Sequence, residues 1–341
     1  MNVTLRYLRL LASYGLFAIF VIAGFNYKVS VYVLRQAAGQ LNILVNTQSI
    51  EEFALNKNLS EGEQENLDLI RQIKQYSVDS LGFNKTKSYK RIFDQGDNPV
   101  LWVITVCEPY ELKSYEWKFP VIGTVSYKGF FRKELAVKEY NHFKAQGYDV
   151  ELRSVSAWST LGWLPDPILS SMLKRSKGSV CNLVFHELFH ATYYAPNTVS
   201  FNENIASFIA DKATIQYLAN DTLALNEYLE NQKTNKIFND FLFRKADYLK
   251  IYYRQIRTRP DRNILKLRFI NEVVDSIGTW PVNEQRKKQW INRVSQHKNA
   301  LFISYDQYDS MQDSLDKVFN KFYEGRLKKM VQDLKQKGSN Y

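Results

Sequence analysis

The sequence predicts an α+β fold: a small mixed sheet packed on a predominantly helical body, with a membrane helix in front. Three observations predict it. Short β-branched runs and one alternating run fall between Val100 and Val155. From Pro165 onward, apolar residues recur at helical spacing through most of the chain. Near the amino terminus, Leu10 to Phe25 is a stretch of sixteen residues without a charge. At 341 residues, 45% hydrophobic and 24% charged, the chain can fold around a sizeable core and form more than one domain.

Arg6 and Arg9 precede the charge-free stretch, and Asn26-Tyr-Lys28 closes it. The stretch is slightly short of the ~20 residues of a full span and longer than most signal-peptide cores. No clean pair of small residues follows for cleavage, and no cysteine follows to take a lipid. Residues 1–28 are therefore expected to be an uncleaved anchor, with the arginines in the cytoplasm and the rest exported. A cleaved signal segment is the alternative.

Residues 29–95 read as an N-terminal helical section. Val33, Leu34, Ala37, Leu41 and Leu44 keep helical spacing, and a second helix from about Ser60 to Leu81 opens on the capping box Ser60-Glu-Gly-Glu63. Asn84 to Asn98 reads as a polar loop. The main domain is expected over 96–341. Its strands are Val100 to Val106, Phe119 to Tyr127 and Tyr148 to Val155, with a helix from Lys133 to Ala145 before the third. Helices then follow at about 178–193, 201–219, 223–232, 235–257, 262–277, 284–296 and 306–335.

The net charge is +11. It is spread along the chain, and its densest runs, Arg286-Lys-Lys288 and Lys328-Lys329, lie in polar helical stretches where a solvated face is the simpler reading. With no aromatic and basic module of the RNA-binding kind, nucleic acid is not expected as a partner. The two cysteines, Cys107 and Cys181, make no CxxC pair and read as small buried side chains.

Two of the four histidines lie in Val184-Phe-His-Glu-Leu-Phe-His-Ala-Thr-Tyr-Tyr194. On a helix, His186 and His190 stand one turn apart on one face, so both imidazoles reach one ion. Glu187 sits about 100° around the helix, within reach of a water on that ion. This is the His-Glu-x-x-His arrangement of zinc hydrolases. The blander alternative is a core helix with two satisfied histidines, but two buried imidazoles on one face need partners, which a metal supplies. A tetrahedral site needs a third protein ligand, and Glu203 at the start of the next helix is the candidate. Against that role, Ser200-x-x-Glu203 is itself a capping-box pattern. Asp211, Asp240 and Cys181 are weaker substitutes. Zn²⁺ is the expected cofactor, Glu187 the expected general base, and hydrolysis of a peptide substrate the expected reaction. Tyr193, Tyr194, Tyr127 and His297 are candidate oxyanion donors, and His142 reads as a surface or packing residue.

Several blocks carry a family resemblance: Tyr32-Val-Leu-Arg-Gln-Ala-Ala-Gly-Gln-Leu41, Phe119-Pro-Val-Ile-Gly-Thr-Val-Ser-Tyr-Lys-Gly-Phe130, Ala157-Trp-Ser-Thr-Leu-Gly-Trp-Leu-Pro-Asp-Pro167, the histidine motif, and Phe201-Asn-Glu-Asn-Ile-Ala206. In these the chain resembles the bacterial group described as putative zinc-dependent aminopeptidases. The resemblance implies a zincin-like body with a gluzincin-type site: His186, His190 and Glu203 on zinc, with Glu187 as base. It also implies that Tyr127 to Phe130 and Ser159 to Trp163 lie near the cleft, which makes Tyr127, Gly129 and Gly162 candidate substrate-binding residues; Tyr194, at the end of the histidine motif, is a fourth candidate. The domain would face the periplasm from the inner membrane, or be secreted into the periplasm. A non-catalytic, envelope-anchored peptide-binding or scaffold protein is the competing expectation. An aminopeptidase needs an acidic group for the substrate's amino terminus, and Glu108 and Asp166 are candidates. Ser207 stands where better-known gluzincins carry an aspartate that braces a histidine, so the bracing is expected from elsewhere.

Overall fold

Ser60 caps its helix as its spacing predicts. Its hydroxyl accepts from the Glu63 amide, and the Glu63 carboxylate accepts from the Ser60 amide. The computed structural model describes residues 27–96, 98–119, 123–155, 165–195, 198–306 and 311–338. The anchor expected at Leu10 to Phe25 lies outside them. Among the described residues, no helix is long and apolar enough to cross a membrane.

The architecture is mixed α and β and mostly helical. Helix α1 (Tyr27–Val45) leads through strand β1 (Thr47–Ser49) to α2 (Ile50–Asn56) and α3 (Glu61–Asp79). Strands β2 (Arg91–Phe93), β3 (Leu101–Cys107), β4 (Trp117–Phe119), β5 (Gly123–Val125) and β6 (Tyr127–Phe130) follow, then α4 (Lys133–Ala145), β7 (Asp149–Val155) and β8 (Ile168–Leu169). A 3₁₀ turn at Ser170–Lys174 introduces α5 (Lys177–His190) and α6 (Val199–Tyr217). The rest is helical: α7 (Thr222–Ile256), α8 (Arg262–Gly278), α9 (Glu284–His297), α10 (Asn299–Asp306), α11 (Gln312–Tyr323) and α12 (Leu327–Gly338).

The strands form three small sheets. In the first, β2 pairs antiparallel with β1 and parallel with β8, with Ile92 opposite Gln48 on one side and Ile168 on the other. In the second, β3 is central and antiparallel to β6 and β7, with Val103 opposite Gly129 and Arg153. The third is the β4–β5 hairpin. The strand expected from Phe119 to Tyr127 is thus divided among three strands. The first sheet was not expected: its strands are two or three residues long, too short for an alternating pattern to register.

Three larger cores organise these elements. The first collects α2, α3, α5, α6, the start of α7, α11 and α12 around Phe185 and Phe189. It draws on residues either side of the expected boundary near residue 95, from Ile43 to Val100 and from Ile168 to Tyr228. The second lies among α7 to α10, and the third between the second sheet and α4. Helix α7 joins the first two: Tyr228 packs in one and Phe238 to Ile256 in the other. The sequence reading ends a helix at residue 232, but Lys233 and Thr234 contain no breaker. Thr234 turns its hydroxyl back to the Glu230 carbonyl and the helix runs on. Conversely, the long helix expected over 306–335 is broken. Glu324 and Gly325 take left-handed φ values of 54° and 69° between α11 and α12, which glycine accommodates readily.

Candidate metal centre

Helix α5 offers its apolar face to the first core. Phe189 packs edge-on against Phe83 at 5.5 Å between ring centroids, and Phe185 does the same against Tyr76 at 6.2 Å. Burying each ring is worth roughly 2–3 kcal/mol, which fixes the rotation of the helix. Asn66 on α3 anchors the entry to α5 by donating to the carbonyls of Leu173 and Arg175. Asn84 closes its exit by donating to the Ala191 carbonyl and the Thr192 hydroxyl. With the aromatic face fixed, the adjoining stripe, roughly 80° around the helix, turns Asn182, His186 and His190 toward α6.

Helix α6 answers with Glu203, Ser207 and Asp211, each one turn from the next. The two helices meet as a polar ladder. The Nε2 atoms of His186 and His190 stand 3.1 Å apart. The Glu203 carboxylate straddles them, with Oε2 3.3 Å from His186 and Oε1 3.6 Å from His190. On the next rung, Ser207 Oγ is 3.4 Å from His186 Nδ1. Beyond it, Asn182 Nδ2 donates to Asp211 Oδ1 at 2.7 Å. Tyr228 and Gln232 of α7 donate to the same oxygen at 2.6 and 2.8 Å. Tyr228 can come this close because residue 178 is glycine: a Cβ there would lie 2.7 Å from the Tyr228 Cβ.

Glu203 does not close the start of its helix. Helix α6 begins at Val199, with Thr198 in the cap position and no side-chain cap bond. Glu203 is therefore the fifth helical residue, past the third position that a capping box requires. Asn202 holds the preceding loop, accepting from the Ala195 amide and donating to the Ala195 carbonyl.

The residues present fit a metal ion. His186, His190 and Glu203 form a group of possible ligands whose donor atoms all lie within 4.8 Å of one another. Ligands on bonds of about 2.0–2.1 Å at tetrahedral corners stand roughly 3.4 Å apart. The separations of 3.1, 3.3 and 3.6 Å bracket that edge. Without an ion the three groups act on one another. Burial opposes protonation of His186, but Glu203, Glu187 and Asp211 outweigh it and raise the pKa above its ordinary value. Burial, with the neighbouring His186 charge, lowers His190 to about 4. Burial also raises Glu203, yet the two histidines prevail and hold it below the usual carboxylate range. The centre thus supplies an anionic carboxylate and a neutral His190 at physiological pH.

Glu187 follows on the same helix, half-buried. Its charge acts on the buried Tyr89, whose ionisation is suppressed first by burial, then by Glu187 and Asp166. Tyr89 is held at φ 59°, a left-handed conformation costing about 1–2 kcal/mol, and its amide donates to the Asp166 carbonyl. The sequence reading passed over Tyr89; its position in a basic, polar segment gave no pattern to mark it. Of the two acidic candidates for a substrate amino terminus, Asp166 therefore belongs to the surroundings of Glu187. Glu108 lies elsewhere, its charge acting on Tyr148 and its carbonyl accepting from Asn299.

The other candidate residues have their own surroundings. Asp240 pairs with Lys236 on α7, and Cys181 is fully buried with its thiol raised to about 12 by burial. His297 ends α9, where Glu151 and the Val150 backbone act on it. His142 is exposed on α4 against Phe143 and Gln146. Tyr193 stacks on Phe189, and Tyr194 is half-buried four residues beyond His190. Tyr127 and Gly129 lie on β6, an edge strand of the second sheet, where Tyr32 and Gln36 of α1 donate to the Gly129 carbonyl. Gly162, with the rest of Ser159 to Trp163, lies outside the described residues. A groove of about 680 Å³ runs between α6, α7 and α11 past Asp211, Lys212, Tyr228, Gln232 and Asp316, one helical turn from Ser207.

No match is found among the curated proteins or the solved structures. The model of one family aligns with residues 31–339, from the second turn of α1 to the end of α12 and across both helices of the polar ladder. The chain belongs to the family described as "Putative aminopeptidase".

Proposed function

We propose that this chain is a zinc-dependent peptidase, an aminopeptidase held at the membrane by its N-terminal segment with the main domain in the periplasm. The observation that carries the reading is the convergence of His186, His190 and Glu203 at tetrahedral spacing with Glu187 beside them. His186 and His190 would hold zinc through Nε2, and Glu203 through its carboxylate. Zinc bound there supplies Lewis acidity, which makes a water more acidic and polarises the scissile carbonyl. Glu187 takes the proton of the attacking water and returns it to the leaving amine. Amino-terminal specificity rests on the family, and the periplasmic setting rests on Arg6, Arg9 and the charge-free stretch that follows them.

The test combines metal content with a peptide-library digest of the full chain in detergent. About one zinc per chain is expected, with residues released in sequence from the amino end. Glu187→Gln should keep the zinc and lose activity by roughly 10²–10⁴-fold, the usual contribution of a positioned acid–base group. Zinc near zero, or a Glu187→Gln variant as active as the parent, would sink the hydrolytic reading in favour of a non-catalytic peptide-binding role. Internal cuts would correct only the aminopeptidase part.

A further inference from the structure

A neutral histidine that binds metal through Nε2 carries its proton on Nδ1, and a nearby acceptor usually holds that proton. The two histidines differ in this respect. His190 Nδ1 is buried with no hydrogen-bond partner among the described residues. His186 Nδ1 faces Ser207 Oγ at 3.4 Å. We propose that Ser207 is the positioning residue of the centre: its hydroxyl oxygen accepts the Nδ1 proton of His186 and so keeps Nε2 unprotonated and aimed at the metal. This rests on the zinc reading above.

The register of the ladder supports the assignment. Ser207 is one turn beyond Glu203 on α6, and His186 is one turn before His190 on α5, so the antiparallel helices set them opposite each other. The rung below holds that register, because Asn182, Tyr228 and Gln232 all donate to one oxygen of Asp211. The 3.4 Å contact is at the long end of hydrogen-bond range. The bracing expected from elsewhere is thus supplied at this position: a hydroxyl stands where better-known gluzincins carry an aspartate, and it faces His186 Nδ1. A neutral oxygen polarises the imidazole less than a carboxylate does, so a Ser207→Asp variant should hold the metal at least as tightly as the parent.

Zinc affinity, measured by competition with a chromophoric chelator on the full chain, tests this. The visible spectrum of the cobalt-substituted protein provides a second readout, and melts of the metal-free forms provide a third. Ser207→Ala should bind zinc roughly 10- to 100-fold more weakly, the usual effect of losing a partner of a ligating histidine. Its cobalt spectrum should shift, and its metal-free melt should match the parent's. Ser207→Asp should recover the affinity. A Ser207→Ala variant with the parent's zinc affinity and cobalt spectrum overturns the proposal while leaving the zinc reading intact. Should Ser207→Ala fail to fold, a folded Ser207→Asp variant that has lost affinity overturns it equally. A parent chain that takes up no metal defeats the zinc reading itself, and this proposal with it.

Discussion

Glu203 decides between a structural and a chemical reading of α6, because a cap and a ligand look alike in sequence. Ser200-x-x-Glu203 fits both. The structure separates them by starting the helix at Val199, which moves Glu203 past the capping turn and against two imidazoles. Removing its charge should therefore act on the metal rather than on the helix. Glu203→Gln is expected to reduce bound zinc to less than a tenth of the parent's under the same dialysis, while helix content by circular dichroism stays unchanged. A variant that keeps its zinc would remove Glu203 from the ligand set. At this scale the sequence was legible where a spacing carried the chemistry: His186, Glu187 and His190 needed only the helix repeat. Tyr89 was not legible, because its tie to Glu187 and Asp166 comes from chain folding and from no periodic pattern.

Helices that meet across a polar ladder need a close and fixed approach, and Gly178 provides it for α5 and α7. An alanine there gains up to about 1 kcal/mol in helix propensity. Against that, its Cβ would sit 2.7 Å from the Cβ of Tyr228, an atom tied to the α7 backbone. Overpacking of this kind typically costs 1–3 kcal/mol, so the clash outweighs the propensity. Gly178→Ala should lower the melting temperature of the metal-free protein. It should also weaken zinc binding, since Tyr228 can no longer hold Asp211 in register. An unchanged or higher melting temperature would show that the helices can separate freely. Element types followed from pattern, as in α3 with its capping box and α4 ending before Gly147. Element lengths depended on tertiary context. Helix α7 runs for 35 residues because each half has its own core to pack on, which no local window can reveal.

Away from the candidate metal centre, buried charges link the second sheet to the C-terminal helices across the whole molecule. Lys266 donates to Asp149 at 2.6 Å with both side chains almost fully buried, and the Asn299 amide donates to the same carboxylate oxygen. Arg293 reaches Glu151, whose second oxygen is buried without a hydrogen-bond partner among the described residues. These pairs join residues more than 100 positions apart in sequence, which is why neither composition nor spacing announced them. His297 lies at this junction. Burial, helped by Arg293 and Lys144, lowers its pKa below the ordinary value, although Glu151 and the Val150 backbone pull the other way. The sign of the consequence follows from linkage. Between the ordinary value near 6.5 and the lower folded value, the unfolded chain holds more protons at this site than the folded one. Stability should therefore fall as pH drops through that window, and the His297 contribution should be flat above it. Other groups also titrate there, so the comparison must be with a His297→Gln variant, using denaturant unfolding of the metal-free protein at pH 7 and at pH 5. The parent is expected to lose more stability between the two pH values than the variant does. Equal losses would mean that this junction carries its charges without regard to His297, and a greater loss in the variant would mean that Glu151 governs the pair and holds His297 protonated.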